Sequence, residues 1–164
     1  MPKVLVLYHS RTGRTESMAE VIAAAIKEEG VEVTRKRIAD AHLEDLLAID
    51  AVVIGSPTYY GTMAAEVKQF LDESIRLHGK LDGKVGGAFA SAGTTGQETT
   101  VLSILQALLI HGMVVQGDFT GTHYGATSVG QTKEIDANQC RRFGRRFGAL
   151  VKRVFAATAA DAEE

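Results

Sequence analysis

The sequence contains no tryptophan, one cysteine and two prolines in 164 residues. A lone thiol, Cys140, cannot close an internal disulfide, and it excludes a structural zinc site built on thiolates. That usage fits the cytoplasm, the expected compartment. No apolar run reaches ~18 residues, which excludes a membrane-spanning helix. The opening MPKVLVLYHS reads as a strand rather than a signal peptide, since no small-residue cleavage site follows it. There is no basic excess either: 18 Lys+Arg stand against 20 Asp+Glu, a formal net charge of -2. Nucleic acid is therefore not an expected partner. Repeats, low-complexity stretches and Pro/Ser-rich linkers are all lacking. Turns fall to the 17 glycines, residues that let a backbone come close to a ligand.

What is present suffices for one core. The chain is 45% hydrophobic and 23% charged, the balance of a soluble globular domain. Residues 1–157 read as a single domain and 158–164 as a frayed acidic tail. Strand and helix patterns alternate. Lys3–Tyr8 and Ala51–Gly55 are nearly continuous apolar runs, the mark of strands buried on both faces. Val31–Arg37 alternates like an edge strand, Val85–Ala90 is a glycine-rich strand, and Met113–Gln116 is a short fifth. Helical spacing marks Thr15–Glu29, Ala64–Leu77, Gln97–Ile110 and Asp136–Phe155, with a short helical stretch at Leu43–Leu47. Five strands separated by helices imply a doubly wound α/β fold, a parallel sheet with helices on both faces. Such sheets bind ligands beyond the carboxyl ends of their strands.

Three loops lie at those ends. The first, Ser10-Arg11-Thr12-Gly13-Arg14-Thr15, sets three hydroxyls around a glycine at a helix start. Unpaired first-turn N–H groups and the helix dipole suit a phosphate there; a plain Ser/Thr helix cap is the bland alternative. It is neither a P-loop nor a dinucleotide fingerprint. The second, Pro57-Thr58-Tyr59-Tyr60-Gly61, places adjacent tyrosines where they can stack on a flat ring, or else fold onto the core or an oligomer contact. The third, Ser91-Ala92-Gly93-Thr94-Thr95-Gly96-Gln97, offers small residues with free N–H groups, or simply a flexible loop and helix cap. Carboxylates at the ends of strands one and three, a G-x-S-x-G elbow and metal-ligand spacings are all missing. Those absences dismiss response regulators, nucleophile-elbow hydrolases and metal enzymes.

Together the loops identify a resemblance. KVLVLYHSRTGRTESMA (3–19), GSPTYYGTMAAEVKQFLDE (55–73), SAGTTGQETT (91–100), HGMVV (111–115) and GTHYGATSVG (121–130) resemble the flavodoxin-like FMN-binding superfamily. Within it they look most like the WrbA-type NAD(P)H:quinone oxidoreductases. The resemblance implies a five-stranded sheet ordered 2-1-3-4-5. It implies FMN phosphate on residues 10–15 and the isoalloxazine between Pro57–Gly61 and Ser91–Gln97. It implies NAD(P)H as co-substrate, a quinone acceptor and a homo-oligomer, dimer or tetramer, in which His111 lies near a neighbour's flavin. Arg11 and Arg14 depart from many flavodoxins, and they are expected near the phosphate, reaching an NADPH phosphate, or in solvent. The segments Arg37–Asp50 and Gln116–Gly121 are shorter than in WrbA-type proteins.

Two function classes follow. In the first, an oxidoreductase moves two electrons from NAD(P)H to a quinone by hydride chemistry on FMN. His111 or His123 then supplies a proton, although a satisfied structural role is the commoner fate of a histidine; Tyr124 walls the site or is equally a packed tyrosine. In the second, a flavodoxin-type carrier passes single electrons between protein partners. Such carriers are strongly acidic around the flavin and often cover it with tryptophan. Balanced charge and the lack of tryptophan favour the enzyme. A regulatory FMN-binding protein is a weaker third reading. The arginines of the last helix read as a solvated face, or as the contact of an acidic partner or a neighbouring subunit.

Overall fold

A computed structural model describes residues 1–132 and 134–160, with side chains through Phe155. The elements in chain order are β1 (Lys3–Tyr8), α1 (Arg14–Glu28), β2 (Glu32–Arg37), β3 (Ala51–Tyr59), β4 (Thr62–Met63), α2 (Ala65–Glu73), β5 (Val85–Ala92), α3 (Gln97–Ile110), β6 (Val114–Val115), β7 (Ala126–Val129) and α4 (Ala137–Ala160). The main sheet runs β2-β1-β3-β5-β6, which is the expected 2-1-3-4-5 order once β4 is set aside. Its ladders are parallel throughout: Val4 faces Val33 and Ala51, and Ala51 in turn faces Val85.

The period of two along each strand divides the core. Val4, Val6 and Tyr8 of β1 pack with Met18, Ile22 and Ile26 of α1 and with Phe147 and Val151 of α4. Leu5 and Leu7 point the other way, to Val67 and Phe70 of α2 and to Val101, Ile104 and Leu108 of α3. Every residue of β5 is buried, which is why it carries small residues and no charge.

Four boundaries differ from the expectations by three residues or more. β3 runs past Gly55 to Tyr59 and turns back into β4 as a hairpin; Pro57 conceals this extension in the sequence. The helix expected to reach Leu77 ends at Glu73 and tightens into a 3-10 turn over Ser74–Leu77. The fifth strand is split. β6 pairs only with Val85 and Gly86, and β7 covers Phe89 through Ala92 after an excursion through residues 116–125. An eight-residue β5 is too long for one short neighbour to cover. Finally, α4 continues through Ala160; the rest of the expected frayed tail, Asp161 to Glu164, lies outside the described residues.

α1 and α4 approach closely through Gly144 and Gly148. A Cβ at Gly144 would stand 2.7 Å from the Ala25 Cβ and 2.8 Å from the Ile22 carbonyl oxygen, and one at Gly148 would stand 2.9 Å from the Glu29 Cβ. Backbone and Cβ atoms cannot swing aside. Gly144→Val is therefore expected to cost about 1–3 kcal/mol through overpacking. Urea or thermal unfolding checks this, and a midpoint equal to wild type would contradict a seam that tight.

Candidate functional site

All parallel strands end at one edge, so their following loops converge there. At the first loop, the His9 N–H donates to the Gly55 carbonyl at 3.1 Å, extending the ladder one step beyond β1. Gly13 then takes a left-handed φ of 94° as the residue before α1, a conformation glycine adopts without strain. The Ser10 hydroxyl accepts from the N–H of Gly13 at 3.1 Å and of Glu16 at 3.3 Å. Among the described residues, the N–H groups of Arg14 and Thr15 have no hydrogen-bond acceptor. They are donors at the positive end of a fifteen-residue helix, a ready anion site. The Thr15 hydroxyl hydrogen-bonds that of Ser91 at 2.9 Å in the interior, fixing α1 to the end of β5.

The second and third loops form one unit. Tyr60 (φ 50°) and Gly61 (φ 77°) make the two-residue turn between β3 and β4, the backbone twist such hairpins favour. Thr99 Oγ1 donates to the Gly61 carbonyl at 2.5 Å. Thr100 Oγ1 hydrogen-bonds Thr58 Oγ1 at 3.0 Å and donates to the Gly96 carbonyl at 2.8 Å. Threonines in the first turn of α3 thus lock the hairpin to the loop. Tyr60 stands fully out in solvent, 108% exposed, beside this clamp.

Between these ends lies a cleft of about 370 Å³, within the ~300–1,000 Å³ common for cofactor sites. Arg11, Thr12, Arg14 and Thr15 line one side; Pro57, Thr58 and Tyr59 the second; Ser91, Ala92 and Gly93 the third. Ten of the expected cofactor residues are thereby assembled. Ser10 and Gly13 shape the first loop from behind, and Tyr60, Gly61 and Gly96 form the rim. Thr94 and Thr95 are exposed on the loop. Gln97 is half-buried, and its Oε1 has no partner. Gly130, Gln131 and Thr132 also line the cleft and escaped the sequence reading. Placing the fifth strand at 113–116 concealed that β7 ends at the same edge; the rule of looking beyond strand ends would have found them.

The two arginines of the first loop differ. Arg11 is exposed at the cleft and forms no ion pair among the described residues. Arg14 is buried, and its guanidinium donates to the carbonyls of Ala92, Gly130 and Thr132, away from the solvent expected as one alternative. Beside the loop, the Tyr8 hydroxyl donates to Glu16 at 2.7 Å. Burial, with help from that carboxylate, pushes the phenol's pKa up.

The three expected catalytic residues are not at the cleft within one chain. His111 follows the far end of α3, whose fourteen residues span about 21 Å at ~1.5 Å each. Its ring is buried, with Nε2 2.7 Å from Ser74 Oγ. The Ser74 hydroxyl donates its proton to the Leu71 carbonyl at 2.6 Å, so Nε2 carries the hydrogen. His123 and Tyr124 sit on the 116–125 excursion, ring to ring at 6.5 Å. The His123 Nδ1 lies 2.7 Å from the Asp118 carbonyl oxygen. Arg142 binds the Asp118 carboxylate at 2.6 and 2.8 Å, and Arg146 donates to the Gly117 carbonyl at 3.0 Å. The excursion is pinned to α4 at Gly117 and Asp118, and neither His123 nor Tyr124 lines the cleft.

Burial, reinforced by nearby His78, lowers the His111 pKa. Its neutral form is favoured on folding. As pH falls through the unfolded value of about 6.5, the unfolded chain takes up a proton that folded His111 refuses, and stability drops. Urea midpoints are expected to fall as pH is lowered below that value, and His111→Gln to flatten this limb. An unchanged slope in the variant would show that His111 does not set it.

Comparison with known proteins agrees with this geometry. A family model described as the flavodoxin domain matches residues 5–139. The chain is 40% identical over 162 residues to a flavodoxin of Aquifex aeolicus, covering 92% of this chain and 88% of that one. It is 33% identical over 190 residues to an NAD(P)H dehydrogenase (quinone) of Archaeoglobus fulgidus, covering 94% and 100%. A crystal structure of a flavodoxin, WrbA-like protein from Agrobacterium tumefaciens superposes with a TM-score of 0.76 at 26% identity, covering 93% of this chain and 99% of that one. Among the described residues, no helix is long and apolar enough to cross a membrane. The chain belongs to the flavodoxin domain family and is related to its WrbA-type members.

Proposed function

We propose that this protein binds FMN in the three-loop cleft and uses it to pass two electrons from NAD(P)H to a quinone. The observation that carries this reading is one cleft with an anion-binding helix terminus at one end and a locked pair of small-residue loops at the other. The residues fit the cofactor. The free N–H groups at the start of α1 and the hydroxyls of Thr12 and Thr15 suit a phosphate dianion. The space between Pro57–Gly61 and Ser91–Gln97 suits a flat ring. FMN, when bound, supplies hydride acceptance and delivery. The chain supplies donors: the N–H groups of Gly93–Gly96 have no acceptor among the described residues, and they offer preorganised stabilisation where negative charge builds on reduction. Tyr59 lines the cleft, and Tyr60 has a free ring at its rim to stack on an incoming planar substrate.

In this reading, quinol protons come from solvent at the open ring end. A role for His111 requires the homo-oligomer that the WrbA-type relation implies, placing it beside a neighbour's cleft. The names NAD(P)H dehydrogenase (quinone) among the relatives support the two-electron reading. So does the lack of any Asp or Glu in 55–63 and 91–97, since carrier flavoproteins steer their partners with charge at that face. The alternative, a one-electron carrier, is favoured by the 40% identity to the Aquifex flavodoxin.

Anaerobic addition of NADH or NADPH to the FMN-loaded protein is expected to bleach the flavin absorbance, and benzoquinone to restore it. Bleaching by dithionite but by neither nicotinamide would overturn the enzyme and leave the carrier. Thr12→Ala is expected to weaken FMN binding about tenfold, the scale of one hydrogen bond to a charged group, and to leave riboflavin binding unchanged. Fluorescence titration of the apoprotein reads both constants.

A further inference from the structure

Arg14 is the first residue of α1, where the helix dipole is positive and a cation is out of place. It is nonetheless buried, at 7% exposure. Its guanidinium is held by backbone carbonyls: Nη1 donates to Ala92 at 2.9 Å and to Gly130, and Nη2 donates to Thr132. The remaining nitrogen, Nε, is buried without a partner. A planar fork is thus turned away from the free N–H groups of its own loop.

The three carbonyls belong to different walls. Ala92 closes β5, whereas Gly130 and Thr132 follow β7. Between the latter two, Gln131 lines the cleft and donates through Nε2 to the Gly93 carbonyl at 3.3 Å. The segment 130–132 is therefore a strap across the cleft. Both of its ends are tied to the phosphate loop through Arg14, and its middle to the ring loop through Gln131. The Gly130 N–H adds a bond to the Ala92 carbonyl at 3.0 Å. No lysine can replace the fork, because an ammonium on a flexible stem does not present donors in a fixed plane to three separate acceptors.

We infer that Arg14 is a positioning residue: it holds Gly130–Thr132 as the fourth wall of the flavin cleft, and so sets how long a flavin stays, without touching the phosphate. This rests on the FMN reading above. A wall tied to both the first and the third loop would act on FMN and riboflavin alike, whereas a phosphate ligand would act on FMN alone.

The test is the affinity and release rate of both flavins, by fluorescence, for apoprotein of wild type, Arg14→Lys and Gln131→Ala. Arg14→Lys keeps the charge and loses the fork. It is expected to weaken both flavins by the same factor, about tenfold, chiefly through faster release. Gln131→Ala, at an exposed position, is expected to speed release of both by roughly threefold, the scale of one neutral hydrogen bond, with the thermal midpoint of the apoprotein unchanged. A loss confined to FMN in Arg14→Lys, the pattern expected of Thr12→Ala, would make Arg14 a phosphate ligand and overturn the inference. Wild-type release rates in Gln131→Ala would overturn it as well, and this arm stands even if Arg14→Lys does not fold. Failure of the wild type to bind either flavin would instead sink the FMN reading itself.

Discussion

The parallel register of β1, β3 and β5 is the constraint on which the molecule depends. Tyr8 is level with Gly55, Gly55 with Phe89, and Pro57 with Ser91. Because these ladders never reverse, three chain segments leave the sheet side by side, and β7 joins them by pairing Val129 with Ala92. The site needs no long-range folding of loops. Short connections from neighbouring strands already meet, and hydroxyl contacts such as Thr15 to Ser91 and Thr100 to Thr58 only fix distances that the register has set.

That register is itself held by two cores of different character. The α2/α3 face is built from large aliphatics such as Leu5, Leu7, Ile54 and Ile104. On the other face, Phe89 lies over Gly55, where a Cβ would meet its ring at 2.0 Å, and the two glycines of α4 bring that helix down onto α1. Volume missing at glycine is filled by an aromatic or a helix backbone, in keeping with close-packed interiors. The helix α1, whose first turn carries the unpaired N–H groups of Arg14 and Thr15, is therefore anchored along its length.

Much of this was legible in the sequence. Continuous apolar runs such as KVLVLY mark a strand covered on both sides, and the helices declare themselves by their period. The three loops stand out because hydroxyls, glycines and paired tyrosines are concentrated where strands end. Two kinds of feature were not legible. One is tertiary pairing: the division of the last strand into β6 and β7 depends on the length of β5, which local pattern does not encode, and with it went the Gly130–Thr132 wall. The other is side-chain direction. His111, His123 and Tyr124 sit in motifs shared with flavin enzymes, but Ser74 holds the first at the far end of α3. Asp118, bound by Arg142 and Arg146 of α4, holds His123 through its backbone, and Tyr124 contacts only the His123 ring. Arg14 likewise reads as a phosphate ligand by position, and only the geometry shows it bound to carbonyls.

The divided last strand also bears on how copies of this chain can meet. An open sheet offers unpaired N–H and C=O groups at its two margins, the usual route to strand-to-strand aggregation. Here one margin, β2, carries Arg35, Lys36 and Arg37 in ion pairs with Glu20, Asp45 and Glu16. The other is never more than four residues long before it breaks, and the excursion in its middle is clasped to α4. The arginine beside it holds the Asp118 carboxyl far below the usual carboxylate range, so that clasp survives mild acid. Charge at one margin and interruption at the other are features that disfavour pairing with a second sheet. Exposed apolar side chains lie instead on helical faces, where Ile75 and Ile110 line the groove between α2 and α3.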